Sequence, residues 1–126
     1  MIAKKNIQFD FDIKGSVLFK RHFGDVSFDA ITEAWDWAFE NKIVPEGTNR
    51  YLLDYRDALI LDIAKSSELI VGYYRLHIDR FKGSKVAIVS TNPKNVALSM
   101  LMCRVDDGYT VKPFSTIEMA LEWLSE

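Results

Sequence analysis

The chain has 126 residues, the size of one domain (1–126), and its 48% hydrophobic residues are enough for a buried core without disulfide or metal crosslinks. The formal net charge of -2, from 16 basic and 18 acidic side chains without a long basic run, disfavours nucleic-acid binding. The single cysteine, Cys103, excludes an internal disulfide and indicates a reducing compartment, so the sequence predicts a cytoplasmic protein. No apolar run reaches the roughly 18 residues of a transmembrane helix.

The first half of the chain predicts a β-hairpin, a helix and a buried strand. Apolar and polar residues alternate across residues 7–23, with a Lys-Gly turn in the middle, which is typical of two half-buried antiparallel strands. Ser27 is a candidate N-cap for an amphipathic helix over 27–41. The apolar run 50–55 indicates a strand buried on both faces, and a loop at 56–57 is expected to follow it.

The next part of the chain alternates helices with strands. Ser66 or Ser67 is expected to cap a long helix that ends near Phe81, and an apolar strand is expected over 86–90. Asn92 is the expected N-cap of the following helix, which has a proline at its first position, where the missing N–H costs nothing.

The C-terminal segment predicts a strand over 109–114 and a final amphipathic helix. Ser115 and Glu118 form a candidate capping box, in which each side chain bonds the backbone N–H of the other residue. The complete order is then β-β-α-β-α-β-α-β-α. It predicts an α/β fold with a mixed, mostly parallel sheet, an N-terminal hairpin and helices packed on the sheet.

This order of elements resembles that of STAS domains, the fold of the anti-sigma-factor antagonists. Two stretches support the resemblance. YLLDYRDALILDIAKSSELIVGYY, residues 51–74, is similar to the family's strand, loop and serine-capped helix. VKPFSTIEMALEWL, residues 111–124, is similar to the end of the SpoIIAA-like (STAS/SEC14-type) branch. The resemblance implies a STAS/SpoIIAA-like fold and a regulatory or protein-interaction module.

The sequence departs from the family at the phosphorylated serine. In the antagonists that serine lies in a turn of the type Asp-Ser-Ser-Gly. Here three residues separate Asp62 from Ser66 and Ser67, and Glu68 stands where the glycine would be. The resemblance therefore does not extend to phosphorylation of these serines.

Polar residues at the carboxyl ends of two predicted strands form a candidate ligand site. Ligands of open α/β sheets bind beyond these ends, and helix N-termini there would offer N–H donors to an anion. Capping and turn formation explain the same residues without a ligand. The candidate residues are Asp54, Arg56, Asp57, Ser66, Ser67, Thr91 and Asn92.

Two helices, over 66–81 and from residue 93 onward, have more apolar residues than one buried face requires. Either they pack side by side and cover each other, or one stripe remains exposed and binds a partner. An exposed stripe would predict a homodimer or a small hydrophobic ligand, because large apolar patches rarely persist on monomers. The candidate interface residues are Val71, Tyr74, Ile78, Phe81, Leu98 and Met102.

The sequence has no readable pattern of a catalytic or metal site. His22 and His77 are the only histidines, and with Cys103 they lack the spacing of zinc ligands. No base lies beside Cys103 in the sequence, so we expect an unreactive buried thiol. We expect no catalytic residue, cofactor or metal. The leading hypothesis is a self-associating, non-enzymatic STAS-like module; the alternatives are a carrier of a small hydrophobic or lipid ligand and an uncharacterised enzyme.

Overall fold

The computed structural model describes residues 2–4, 6–103 and 108–126, with residues 2–4 described by their backbone alone. Six strands and five helices occur in this part of the chain. The strands are β1 (Ile2–Lys4), β2 (Ile7–Asp12), β3 (Val17–Val26), β4 (Arg50–Ile60), β5 (Lys85–Val89) and β6 (Thr110–Phe114). The helices are α1 (Phe28–Glu40), α2 (Ile63–Leu76), α3 (Ile78–Phe81), α4 (Pro93–Met102) and α5 (Ile117–Leu124).

The six strands form one sheet in the order β1-β2-β3-β4-β5-β6. The first two neighbouring pairs are antiparallel and the other three are parallel. The predicted mixed, mostly parallel sheet with an N-terminal hairpin is therefore confirmed. The short strand β1 is an addition to the prediction, because three residues contain too little pattern to identify a strand that is stabilised by pairing with β2.

Helices cover the two faces of the sheet unequally. The larger core joins the sheet to α1, α2, α3 and α4, with Trp35, Tyr74 and Leu98 among its buried side chains. The smaller core joins the other face to α5 through Ala120 and Leu124. Because α5 lies over β4, β5 and β6, the part of this face formed by β2 and β3 borders an open groove.

Strand β4 is longer than predicted, and the expected loop at 56–57 is wrong. Arg21 pairs with Asp54 and Phe23 pairs with Asp57, so two residues of β4 lie opposite His22 in a β-bulge. Beyond the bulge, β4 continues to pair with β3 as far as Ile60. The polar residues that indicated a loop are thus accommodated within a strand by pairing to a neighbour distant in sequence.

Along the edge of β4 that pairs with β5, the fully buried side chain of Asn95 on α4 makes hydrogen bonds to backbone groups that have no partner strand. The pairing of β4 with β5 ends at Asp54, which leaves the following backbone groups of β4 without a strand neighbour. Asn95 Nδ2 donates to the carbonyl oxygens of Tyr55 at 3.2 Å and Ala58 at 2.7 Å, and Asn95 Oδ1 accepts from Ile60 N at 3.2 Å. This side chain therefore fixes α4 to β4.

Two of the predicted N-caps are confirmed. The Ser27 hydroxyl accepts from Ala30 N at 3.1 Å, and Asn92 Oδ1 accepts from Lys94 N at 2.9 Å. The predicted cap at Ser115 is wrong: α5 begins at Ile117, and the neighbouring Thr116 accepts from Met119 N at 3.2 Å. Two adjacent hydroxyl residues offered the same local signal, and the end of β6 at Phe114 decided between them.

The predicted cap at Ser66 or Ser67 is also wrong. Helix α2 begins at Ile63, so both serines lie inside it, where their hydroxyls donate to Leu61 O at 2.7 Å and Ala64 O at 2.9 Å. Asp62 occupies the N-cap position in a left-handed conformation (φ 52°) without a side-chain cap. The predicted helix also breaks at His77, which separates α2 from α3.

Candidate functional site

The six predicted interface residues do not form an exposed stripe. Tyr74, Phe81, Leu98 and Met102 are at most 2% exposed and belong to the larger core. Val71 and Ile78 are half-buried and pack against that core. This prediction is wrong because α2 and α4 pack side by side and turn these side chains toward the sheet.

A different set of apolar side chains on α2 and α4 remains exposed. Seven large hydrophobic residues are exposed in the described part of the chain, and four of them lie on these two helices. The two helices pack against each other on the same face of the sheet, so their exposed apolar residues mark a candidate interaction surface. We call it the α2–α4 surface; its apolar residues are Leu69 (40% exposed), Leu76 (77%), Met100 (66%) and Leu101 (44%).

A groove of about 340 Å³ lies along this surface between α2 and α4. Its lining combines apolar groups, including Val71 and Leu101, with the charged side chains of Glu68 and Arg75. The groove thus presents both apolar contact area and charges of opposite sign.

Gly72 lies on the exposed side of α2 within the same surface. A Cβ atom built at this position would meet no atom of the described residues within 4 Å, so packing among those residues does not require a glycine. Its backbone is helical, so conformation does not require a glycine either. Glycine inside a helix costs roughly 0.5–1 kcal/mol relative to alanine. Contacts among the described residues therefore do not explain the glycine at position 72.

Helix α2 is held in place by a network that joins three helices. Asp36 of α1 accepts hydrogen bonds from Tyr73 Oη at 2.5 Å and from Arg80 Nη1 at 2.9 Å. Although its partial burial raises the pKa of Asp36, the hydrogen bonds from Arg80 and Tyr73 outweigh it, and the net pKa is lowered. The carboxylate form that holds the network therefore predominates at neutral pH.

The predicted ligand edge is brought together only in part, around Asp54. The Asp54 carboxylate accepts from Arg56 Nε at 3.0 Å and Nη2 at 2.9 Å, and Arg21 Nε lies 3.5 Å away. Asp57 lies 3.9 Å from the Arg21 guanidinium. Burial raises the pKa of Asp54, but the hydrogen bonds and charge of Arg56 outweigh it, so the pKa is lowered overall.

A groove of about 280 Å³ lies beside this charge cluster on the face that α5 covers. Arg21 and Arg56 line it, but both are already paired with carboxylates, and Asp10 adds a further negative charge. An anion entering this groove would meet guanidinium groups that are neutralised. The cluster is therefore accounted for as a structural ion pair at the β4 bulge.

The other predicted ligand residues lie elsewhere. Ser66 and Ser67 are buried in α2, on the opposite face of the sheet from the Asp54 side chain. Asn92 caps α4, and the neighbouring Thr91 is exposed. Among residues 6–103 and 108–126, no hydrogen bond or ion pair links these four side chains to Asp54.

Two buried basic residues of β3 were not identified from the sequence. Lys20 is fully buried, its Nζ donates to Ile31 O at 3.2 Å and lies 4.2 Å from the Trp35 ring, and burial lowers its pKa well below the usual value. His22 is 1% exposed, with Nδ1 at 3.3 Å from Asp54 O. Its pKa is lowered by burial and then by the charge of Lys20. The alternation of residues along β3 could have identified them, because it places Lys20 and His22 on the same face of the strand as Leu18.

Comparison with known proteins identifies the fold. No protein-family model matches the chain, and no curated protein matches it. The structure is similar to that of an uncharacterized protein from the DUF3478 family with a SpoIIAA-like fold from Shewanella loihica PV-4. The TM-score is 0.61 at 19% sequence identity, over 94% of this chain and 91% of that chain. The predicted STAS/SpoIIAA-like fold is thereby confirmed.

The comparison at this level of identity concerns the fold alone. None of the helices in the described part of the chain is long and apolar enough to cross a membrane.

Proposed function

We propose that this SpoIIAA-like chain is a non-enzymatic protein-interaction module that self-associates, and that the α2–α4 surface is where it does so. The observation that supports the proposal is the exposure of Leu69, Leu76, Met100 and Leu101 on two adjacent helices. Apolar groups gathered on one exposed surface gain roughly 25 cal/mol per Å² when a partner removes them from water. A cytoplasmic location is part of the proposal and is supported by the single, unpaired Cys103.

The groups that would have to perform catalysis are poorly placed for it. Burial raises the pKa of the Cys103 thiol to about 11, so the nucleophilic thiolate is scarce at neutral pH. His22 is buried with its pKa lowered, and the interior around it is aromatic, with the Tyr55 ring centroid 4.2 Å away. These features favour a binding module over an enzyme.

The size and charge of the groove make a carrier of a small hydrophobic ligand the weaker candidate function. Ligand pockets commonly enclose about 300–1,000 Å³ and are mainly apolar. The groove between α2 and α4 is at the lower end, at about 340 Å³, and contains the charges of Glu68 and Arg75. Native mass spectrometry of freshly purified protein distinguishes the two functions, because a carrier would retain a bound mass and the interaction module would show the mass of the chain or its oligomer.

Light scattering coupled to size-exclusion chromatography tests the proposal directly. We expect the wild type to be a dimer, and Leu76→Glu and Met100→Glu to be folded monomers, since each places a charge where a partner would exclude water. Ile13→Glu is the matched control, because Ile13 is 83% exposed in the turn between β2 and β3, away from this surface. A wild type that stays monomeric at high concentration, or a control that dissociates equally, would refute the proposal.

A further inference from the structure

We propose that at least one water molecule is bound inside the larger core, where it joins the indole N–H of Trp35 to the hydroxyls of Tyr55 and Tyr74. The proposal concerns the interior of the fold and is independent of the proposed self-association. It is derived from polar atoms that are buried without hydrogen bonds, from their positions on neighbouring elements, and from the donors and acceptors among them.

Four buried polar atoms of this core make no hydrogen bond within residues 6–103 and 108–126. They are His22 Nε2, Trp35 Nε1, Tyr55 Oη and Tyr74 Oη. The residues that carry them are at most 1% exposed. Buried polar atoms are nearly always hydrogen-bonded, because an unsatisfied atom loses its interaction with water and gains no other. Four such atoms in one core therefore indicate a further partner, and bound water is the usual one in globular proteins.

These atoms lie on elements that pack against one another. Tyr55 of β4 lies opposite His22 of β3 at the bulge, and their ring centroids are 4.2 Å apart. Trp35 of α1 and Tyr74 of α2 meet edge to face over the sheet, with ring centroids 6.4 Å apart. The bulge thus places one pair of rings in the sheet, and the two helices place the other pair above it.

The surroundings of the Tyr74 hydroxyl connect the two pairs of rings. Burial raises the pKa of Tyr74 well above its usual value, the neighbouring Tyr55 raises it further, and the Trp35 N–H opposes the rise. Both groups therefore lie near the Tyr74 hydroxyl, although neither forms a hydrogen bond with it. Polar groups that approach one another without bonding directly are commonly bridged by a water molecule.

The donors and acceptors favour water over an ion. Trp35 Nε1 can only donate, whereas the tyrosine hydroxyls can donate or accept. His22 Nδ1 lies 3.3 Å from the carbonyl oxygen of Asp54, which can only accept, so Nδ1 carries the proton and Nε2 is an acceptor. An anion would meet the lone pair of His22 Nε2, and a metal cation would meet the N–H of Trp35. Water both donates and accepts, and therefore suits all four atoms.

Magnetic relaxation dispersion of oxygen-17 tests for the bound molecule, because water held inside a protein tumbles with it. We expect a dispersion from the wild type, and a loss of at least one molecule's contribution from the double variant Tyr55→Phe, Tyr74→Phe. Tyr51→Phe is the matched control, because Tyr51 is equally buried but its hydroxyl donates to Thr48 O at 3.1 Å. A wild type without dispersion, or a double variant that retains all of it, would overturn the proposal.

Thermal unfolding of the single variants gives a second readout, whose sign depends on the water. Tyr55→Phe and Tyr74→Phe should each lower the melting temperature by about 4 °C, as Tyr51→Phe should, because each loses a hydrogen bond. Removing a hydroxyl that has no partner would instead raise the melting temperature, since a desolvation cost is relieved. A rise in either Tyr55→Phe or Tyr74→Phe would therefore overturn the proposal.

Discussion

The Asp54 carboxylate and the Arg56 guanidinium, two residues apart at the β4 bulge, form an ion pair with two hydrogen bonds, at N–O distances of 3.0 and 2.9 Å. Asp54 Oδ1 also accepts from Arg56 N at 3.1 Å, so one nearly buried side chain binds both the backbone and the side chain of the bulged residue. The pair therefore stabilises the irregular step at which β4 continues past its expected end.

Asp54→Asn should lower the free energy of unfolding by about 1–3 kcal/mol at neutral pH, because it leaves two arginines with a neutral partner. The native pKa of Asp54 is lowered, so its contribution is present above the unfolded-state pKa of about 3.9 and is lost as pH falls through the folded-state pKa. Urea denaturation at pH 7 and pH 3 should show the difference between variant and wild type shrinking in acid. An equal difference at both pH values would contradict this role.

His22 should make the protein less stable in mild acid. Burial lowers its pKa, so below about pH 6.5 the unfolded chain binds a proton that the folded chain does not. Stability should fall by up to about 1.4 kcal/mol per pH unit until the folded-state pKa is reached. His22→Gln should remove this slope in thermal or urea unfolding between pH 7 and 5, and His77→Gln, at the half-exposed histidine, should retain it.

Lys20→Met should stabilise the protein at pH 7 by about 1–3 kcal/mol, because it removes a fully buried amine that must lose its proton or be buried charged. Since the pKa of Lys20 is lowered, the wild type gains stability as pH rises toward about 10.4, and the advantage of the variant should shrink there. Lys20→Ala is the contrasting variant, because the cavity it creates should destabilise the core. Calorimetric melting temperatures compare the three proteins.

Asn95→Ala should destabilise the fold by about 2–4 kcal/mol, since three hydrogen bonds to β4 are lost and Ile60 N is left buried without an acceptor. Asn95→Asp is nearly the same size but replaces the donor to Tyr55 O and Ala58 O by a carboxylate, so it should be at least as harmful. Asn41→Ala, at an exposed asparagine, should cost less than about 1 kcal/mol. The midpoints of urea denaturation should follow this ranking, while the dependence of the unfolding free energy on urea concentration stays unchanged.

The apolar residues that remain exposed on α2 and α4 differ from the interface residues that the sequence predicted. An excess of apolar residues on α2 and α4 was visible in the sequence, because hydrophobicity is a property of each residue. Which stripe faces the sheet depends on how the helices rotate when they pack, and that rotation buried Tyr74 and Leu98 and left Leu76 and Met100 exposed. A local pattern contains no information about this choice when both stripes are apolar.

The sequence by itself determined the features that depend on neighbouring residues: the alternating strands of the hairpin, the caps at Ser27 and Asn92, and the order of elements that predicts the SpoIIAA-like fold. Only the tertiary structure decided the features that depend on residues distant in the chain. These include the burial of Lys20 and His22 and the extension of β4 past the bulge. The physical reason is that capping and periodicity act over one or two turns, whereas burial and strand pairing depend on contacts made only after the chain has folded.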